Sequence, residues 1–421
     1  MLKSKNMPLR YSAAKICSAI FLFSLLISMA TELFTTGIAQ KIFYFNGYLS
    51  FFFIIYVAIK KRSYFNQIMP VLPFIFALLF IGMVRYVWFI FSKEDTSRFS
   101  EFDLNNLRNY DLAGKRLLLS VFIIMTGVMI SKYITREILN LGRIIIFLGI
   151  IICLLFGLYE FFWLTHDRIK LTADAASSSS YMVLFMYTTY LTLSINTENI
   201  KWLLIDVLSA IMTFTLLMLC DTRVSILAFI GVTILYCLYN KKIKAFFSNR
   251  LFIIGGVGVV LVVISLTGNR WIEGVRNIQN YSTDSSTSLG ARVAIWDSGI
   301  TYVKQHYLFS TPLERTGFAQ PFIKEKHPGN TEGYNNVKYN MHNEFLETLT
   351  LQGILGAISL AFMYISFIIV AIRQHVLKSA VMPLFVLFVC GLTDSVLINP
   401  QAVMLLLISI SVSALLPVRD K

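Results

Sequence analysis

The chain has 421 residues, is 56% hydrophobic and only 14% charged, and carries a formal net charge of +14. Its mean hydropathy is +0.68. These values exclude an ordinary soluble globular domain. They also leave the basic excess to be explained by a membrane surface before any nucleic acid is invoked.

A helix needs roughly 20 apolar residues to cross the hydrocarbon core, and about twelve stretches approach that length. In chain order they are 16–34, 42–59, 72–92, 117–134, 142–164, 179–195, 202–220, 224–239, 251–267, 348–371, 379–397 and 401–417. Each is too long for a buried strand, and none alternates as a membrane barrel would. The fold class expected is therefore an all-α polytopic membrane protein with about 12 transmembrane helices, 1–421 forming a single integral membrane domain. The first stretch reads as a retained span, because Met29-Ala30-Thr31-Glu32 is a poor cleavage site for a leader.

Basic residues set the expected orientation. With the N-terminus in the cytoplasm and the spans alternating, about half of the lysines and arginines fall on short cytoplasmic connectors. Lys60-Lys61-Arg62, Arg143, Lys241-Lys242 and Arg373 are among them, and both termini are cytoplasmic. A basic rim against anionic lipid accounts for the net charge. Three longer polar connectors, 93–116, 165–178 and 268–347, then lie outside, the last as one large loop between the ninth and tenth spans. The cysteines all lie in or at the ends of apolar stretches, so no disulfide framework is expected. Ala175-Ala176-Ser177-Ser178-Ser179-Ser180 reads as close helix packing, as does Gly255-Gly256-Val257-Gly258.

Several familiar sites are missing. There is no phosphate-cradling loop, no Asp-x-Asp pair, no His-Glu-x-x-His and no nucleophile elbow. No metal site is expected, since no cysteine or second histidine stands at ligand spacing, and no cofactor is implied. The remaining external chemistry is arginine and histidine. Arg223, in Cys220-Asp221-Thr222-Arg223-Val224, sits where one span ends and the next begins. It is either a snorkelling anchor or a fixed cation able to hold phosphate oxygens bidentately. Arg292 opens a helix on which Val293, Trp296, Ile300, Val303 and Tyr307 share one face, with Ser288 as the expected N-cap. That helix is expected on the membrane surface, aromatic face down, its N-terminal end suited to an anion. The bland alternative is an interfacial anchor.

His342 precedes the tenth span in Asn340-Met341-His342-Asn343-Glu344. With Asn340 as the cap, His342 falls in the first helical turn, where the dipole favours a neutral imidazole able to act as a base. A structural histidine is the competing reading. His166, His306, His327 and His375 lack a comparable setting. Asp394 lies near the outer end of the eleventh stretch, and a carboxylate there needs a partner. Arg223 or Arg292 is the expected one, with Arg85 a second candidate for the buried set. Two arginines suit a pyrophosphate and a histidine suits a hydroxyl, so a lipid-linked diphosphate donor fits an outward-facing site where no ATP is expected.

Asp221-Thr222-Arg223, Ser288-Leu289-Gly290-Ala291-Arg292, Met341-His342-Asn343-Glu344 and Gly391-Leu392-Thr393-Asp394 together resemble the motifs of the bacterial O-antigen ligases. They keep the same order and the same relation to the spans, and the likeness concentrates between about 202 and 400. The resemblance implies a membrane-embedded glycosyltransferase of the C type, inverting and metal-independent. Such enzymes move O-antigen polysaccharide from undecaprenyl diphosphate to the lipid A–core oligosaccharide, on the periplasmic side of the bacterial inner membrane. It implies that Arg223 and Arg292 bind the donor diphosphate and that His342 activates the acceptor hydroxyl. Asp394 and Asn343 fall in the matching motifs as further substrate-binding positions. The partners implied are the undecaprenyl-linked glycan, lipid A–core and membrane lipids, with no nucleic acid. An O-antigen polymerase or an O-linked oligosaccharyltransferase shares the donor and is the related alternative. A lipid-linked sugar transporter is the alternative of another class, but it would place its charges near the bilayer midplane.

Overall fold

The computed structural model describes residues 9–35, 37–93, 99–195, 201–240, 272, 287–373 and 378–416. Among the described residues all regular structure is helical, without strands. The helices are α1 (Leu9–Glu32), α2 (Ile38–Lys60), α3 (Leu72–Lys93), α4 (Glu101–Ile130), α5 (Arg136–Tyr159), α6 (Ala176–Ser194) and α7 (Lys201–Cys220). They continue as α8 (Arg223–Tyr239), α9 (Ser288–Gln305), α10 (Pro312–Lys326), α11 (Thr331–Asn336), α12 (Glu344–Arg373), α13 (Val381–Gly391) and α14 (Pro400–Leu415). Seven helices are long and apolar enough to cross a membrane: α1 to α5, α7 and α12. The protein is a multi-pass membrane protein. Three further apolar helices, α8, α13 and α14, are shorter. The expected stretch 251–267 and its glycines lie outside the described residues.

Two helices form the centre. Every residue of α6 from Ser179 to Ser194 is buried, and so is every residue of α14 from Ala402 to Leu415. A helix apolar on all sides belongs inside other helices. Small hydroxyl side chains let these two approach, and the Thr188 and Ser409 hydroxyls lie 3.1 Å apart. Around them the outer helices turn apolar side chains outward, Phe45, Phe52 and Ile59 on α2 and Leu148 and Leu155 on α5, as a lipid-facing surface requires.

The polar insert, where described, is a folded layer. Ala294, Ile295, Ala319, Ile323, Val337 and Met341 form a small core of their own between α9, α10, α11 and the start of α12. Thr311 caps α10 reciprocally with Glu314, and Pro312 takes the first helical position, where its missing N–H costs nothing. α12 is broken at Gly353, whose φ is +58°. The break admits the chain after α9. Ile354 N–H donates to the Tyr307 carbonyl at 3.0 Å, and Ser310 N–H donates to the Leu351 carbonyl at 2.9 Å. A Cβ at 353 would stand 2.5 Å from that Tyr307 oxygen, so only glycine fits.

Four expectations are corrected. The helix expected from 117 begins at Glu101, because Ser100 and Asp103 make a capping box there, so most of the connector 93–116 is helix. The eleventh stretch stops at Gly391, and Asp394 lies in the turn beyond α13. Arg143 is fully buried against Asp206 and is no part of an exposed basic rim. On α9 the buried side is Ala291, Ala294, Ile295, Ser298 and Tyr302, opposite the expected stripe, whose Ile300 stays exposed, while Tyr307 lies past the helix end and is also exposed. The side turned inward mixes small residues with Ile295 and Tyr302, while Val293, Trp296 and Val303 on the other side are only half-buried.

Candidate active site at the insert

The site forms where the insert meets the turn after α13. Thr287, one residue before the expected cap, accepts from Gly290 N–H at 3.2 Å and starts α9. Ser288 thereby becomes the first helical residue, and its hydroxyl and carbonyl receive Nη1 of Arg292 at 2.8 and 3.2 Å. Arg292 Nε donates to the Thr393 carbonyl at 3.2 Å. The guanidinium is thus held between the insert and the Asp394 turn.

His342 is placed by a strained backbone. Its φ is +47°, a left-handed conformation uncommon for a side chain of this size. Asn340 Oδ1 accepts its N–H at 2.6 Å, and its carbonyl accepts from Trp296 Nε1 at 3.3 Å. The cap of α12 is Asn343, not Asn340. Its Oδ1 accepts from Phe345 N–H and Leu346 N–H, each at 3.0 Å, and its Nδ2 donates to the Leu392 carbonyl at 3.1 Å. His342 therefore stands just before the helix rather than in its first turn, and the dipole argument gives way to a direct partner.

That partner is Asp394, whose Oδ1 lies 3.4 Å from His342 Nδ1. The Asp394 carboxylate also accepts from Tyr181 OH on α6 and from Ser395 N–H, both at 2.9 Å. Burial pushes its pKa up, but His342, Ser395 and Tyr181 outweigh burial and lower it to about 2. Of the candidate arginines, two are engaged elsewhere. Arg292 binds the neighbouring carbonyl, and Arg85 pairs with Glu344 at 3.1 Å. His342 keeps 24% of its side chain exposed. It borders a cavity of about 330 Å³ together with Ser288, Arg292, Ala291, Ile295, Glu332 and Asn336. With Nδ1 turned to Asp394, Nε2 is the nitrogen left for a substrate. The cavity has one cation from Arg292 and one carboxylate from Glu332, which accepts from Asn336 at 2.9 Å.

Two buried carboxylates on the first turn of α12 brace this pair. Glu347 accepts from Arg315 Nη1 and Tyr110 OH through one oxygen, and through the other from Met341 N–H at 2.6 Å, one residue before His342. Glu344 accepts from Arg85 and, at 2.7 Å, from Leu397 N–H, three residues after Asp394. Arg85 also donates to the Leu397 carbonyl at 2.6 Å. Each ion pair thus pins the backbone on one side of the His342–Asp394 contact. At Arg315, burial lowers the pKa, but Glu347 and Tyr110 raise it further. Glu347, Arg315 and Tyr110 were not singled out from the sequence. Two acids on the first turn of an apolar helix were a readable signal, whereas Arg315 in mid-insert had none.

Arg292, His342, Asn343 and Asp394 are thus brought together. Arg223 opens α8 at the same end of the bundle but does not line the cavity. Its neighbour Ser225 lies 2.6 Å from Ser180, next to Tyr181, so α8 reaches the site through α6. His327 pairs with Asp297 at 2.9 Å and His306 stacks on Tyr302, both away from Asp394. Among the described residues no three His, Cys, Asp or Glu side chains gather as a metal site would need.

Residues 208–361 match the sequence model of the family described as O-Antigen ligase, a range that holds Arg223, Arg292, His342 and Asn343 but not Asp394. A curated relative, the O-antigen ligase of Escherichia coli (strain K12), is 26% identical over 252 residues. The match covers 58% of this chain, and the chain spans only 58% of the length of that relative.

Proposed function

We propose that the chain, similar to the O-antigen ligases over 208–361, transfers O-antigen polysaccharide from undecaprenyl diphosphate to lipid A–core oligosaccharide, with inversion and without a metal. The observation that carries the reading is His342, held 3.4 Å from Asp394 and bordering the Arg292 cavity. The acceptor hydroxyl attacks the anomeric carbon of the donor sugar. The bond from that carbon to the diphosphate oxygen breaks, and the diphosphate leaves with the electron pair. His342 Nε2 takes the hydroxyl proton, and the Asp394 carboxylate stabilises the imidazolium that results. Arg292, and Arg223 from the adjoining helix end, neutralise the charge growing on the diphosphate. Asn343 fixes the backbone at the site, and Glu332 faces the sugar hydroxyls rather than the phosphates. The site faces the periplasm of the bacterial inner membrane, 268–347 is the large periplasmic loop, and both termini are cytoplasmic. Clustering of these charges at one end of the bundle favours a transferase over a transporter.

The test mixes purified protein, undecaprenyl-diphosphate glycan and lipid A–core, with and without excess chelator. Glycan on the lipid, undiminished by chelator, is the expected result. Glycan extended on its own carrier instead would make the chain a polymerase, and restoration of a chelated reaction by a divalent ion would end the metal-free mechanism.

A further inference from the structure

We propose that the groove between α1, α2 and α4, at the end of the bundle away from His342, binds one anionic phospholipid, an acyl chain in the groove and the phosphate at Lys61 and Lys132. The groove has a volume of about 410 Å³, and its walls are apolar, with Phe21, Leu49, Phe53 and Ile130 among them. Three serine or threonine side chains lie in the walls, and the Ser18 hydroxyl bonds the Ala14 carbonyl at 2.8 Å. Ser50 and Thr126 both line the groove, both are buried, and neither oxygen has a hydrogen-bond partner. Helical Ser and Thr in a membrane commonly bond the carbonyl one turn back. Ser50 and Thr126 do not, and their oxygens are closed off from the groove, so the walls offered to an acyl chain stay apolar.

The mouth supplies the charge. Lys61 borders the groove just past the end of α2. Lys132 Nζ sits 4.3 Å from the centre of the Tyr64 ring and 5.2 Å from that of Tyr133, and both rings line the groove. The two tyrosine hydroxyls lie 3.2 Å apart. Among the described residues no acid stands within ion-pair distance of Lys61 or Lys132, and nearby Glu137 faces Lys15 at 3.7 Å. An apolar slot ending in paired tyrosines and two lysines with no counter-ion among the described residues matches a lipid with a negative headgroup at the interface. The polyprenyl donor is not the occupant. The mouth is about 30 Å along α4 from Tyr110, which touches Glu347 beside His342, so a diphosphate held here could not reach the reacting end. The site stands independently of the transfer reaction.

Full-length protein in nanodiscs of phosphatidylcholine with phosphatidylglycerol, analysed by native mass spectrometry, tests the assignment. One phosphatidylglycerol should stay bound after phosphatidylcholine has been stripped. Lys61→Gln with Lys132→Gln should weaken its retention roughly tenfold or more, whereas Lys115→Gln, on α4 beyond the groove, should leave it unchanged. Ser50→Leu, which fills the slot, should release it; thermal unfolding checks that each variant is folded, and either lysine variant alone serves if the pair is not. Equal retention of the two lipids, or no effect of the lysine variants, would overturn the site. So would displacement of phosphatidylglycerol by a polyprenyl diphosphate.

Discussion

The two ends of the bundle each bury arginine–carboxylate pairs, yet they are built differently. At one end Arg143 of α5 pairs with Asp206 of α7. The Asp206 carboxylate also accepts from Tyr190 at 2.8 Å, Ser194 at 3.0 Å and Tyr236 at 3.1 Å, and Arg143 lies over the Trp202 ring. These partners come from α5 to α8, and the cluster locks those helices together. At the other end Arg85–Glu344 and Arg315–Glu347 are equally buried, but they enclose a third pair, His342–Asp394, that borders a cavity. A buried charge in a membrane protein points to function by default. Here the distinction is whether a polar side chain keeps capacity for something from outside. The Arg143 cluster uses its groups on itself, while His342 uses one nitrogen and keeps the other.

The sharpest way to break this comparison is at His342. His342→Ala should slow transfer by roughly 10²- to 10⁴-fold, with thermal unfolding almost unchanged; a variant that still decorates the acceptor lipid removes the proposed base. The two kinds of ion pair separate next. Arg143→Met and Arg315→Met should each cost about 3–5 kcal/mol, because each strands a buried carboxylate. Denaturation in detergent should show the same loss for both, but activity per folded molecule should survive only in Arg143→Met. If both stay active, the Glu347 link to Met341 does not position His342.

Asp394→Asn should lower turnover on the order of 100-fold by letting the imidazole drift, with little change in donor affinity; a change confined to KM would make Asp394 a substrate contact instead. The smallest effect is a pH profile. The Asp394 carboxyl is lowered from 3.8 to about 2, so its contribution to stability is complete above about pH 4 and is lost as pH falls through about 2. The unfolding free energy of the protein minus that of Asp394→Asn should therefore be flat from neutrality to about pH 4 and shrink below it. A difference that shrinks already between pH 7 and 5 would place the titrating group elsewhere.

Much of the scaffold was legible because hydropathy is a local property. The apolar stretches became α1 to α8 and α12 to α14 with shifted ends, apart from 251–267, which lies outside the described residues. Ends shifted where capping decided them: Ser100 with Asp103 moved α4 back into a polar connector, and Asn343 rather than Asn340 began α12. The stripe on α9 was misjudged because periodicity tells that a face exists but not which neighbour it meets. The side with Ala291, Ala294, Ile295, Ser298 and Tyr302 was buried, and the expected stripe was left half-buried or exposed.

From the sequence alone came the membrane class, the polar insert and the four short motifs that hold Arg223, Arg292, His342, Asn343 and Asp394. Each depends on residue type and spacing, which a linear chain displays. Who pairs with whom was decided only by the tertiary structure. Arg85 meets Glu344 across 259 residues, Tyr181 meets Asp394 across 213, and Arg292 reaches the Thr393 carbonyl across 101. Such contacts leave no periodicity and no spacing rule. They exist because burying a charge or a hydroxyl in an apolar bundle demands a partner, and the fold alone settles which one is within reach.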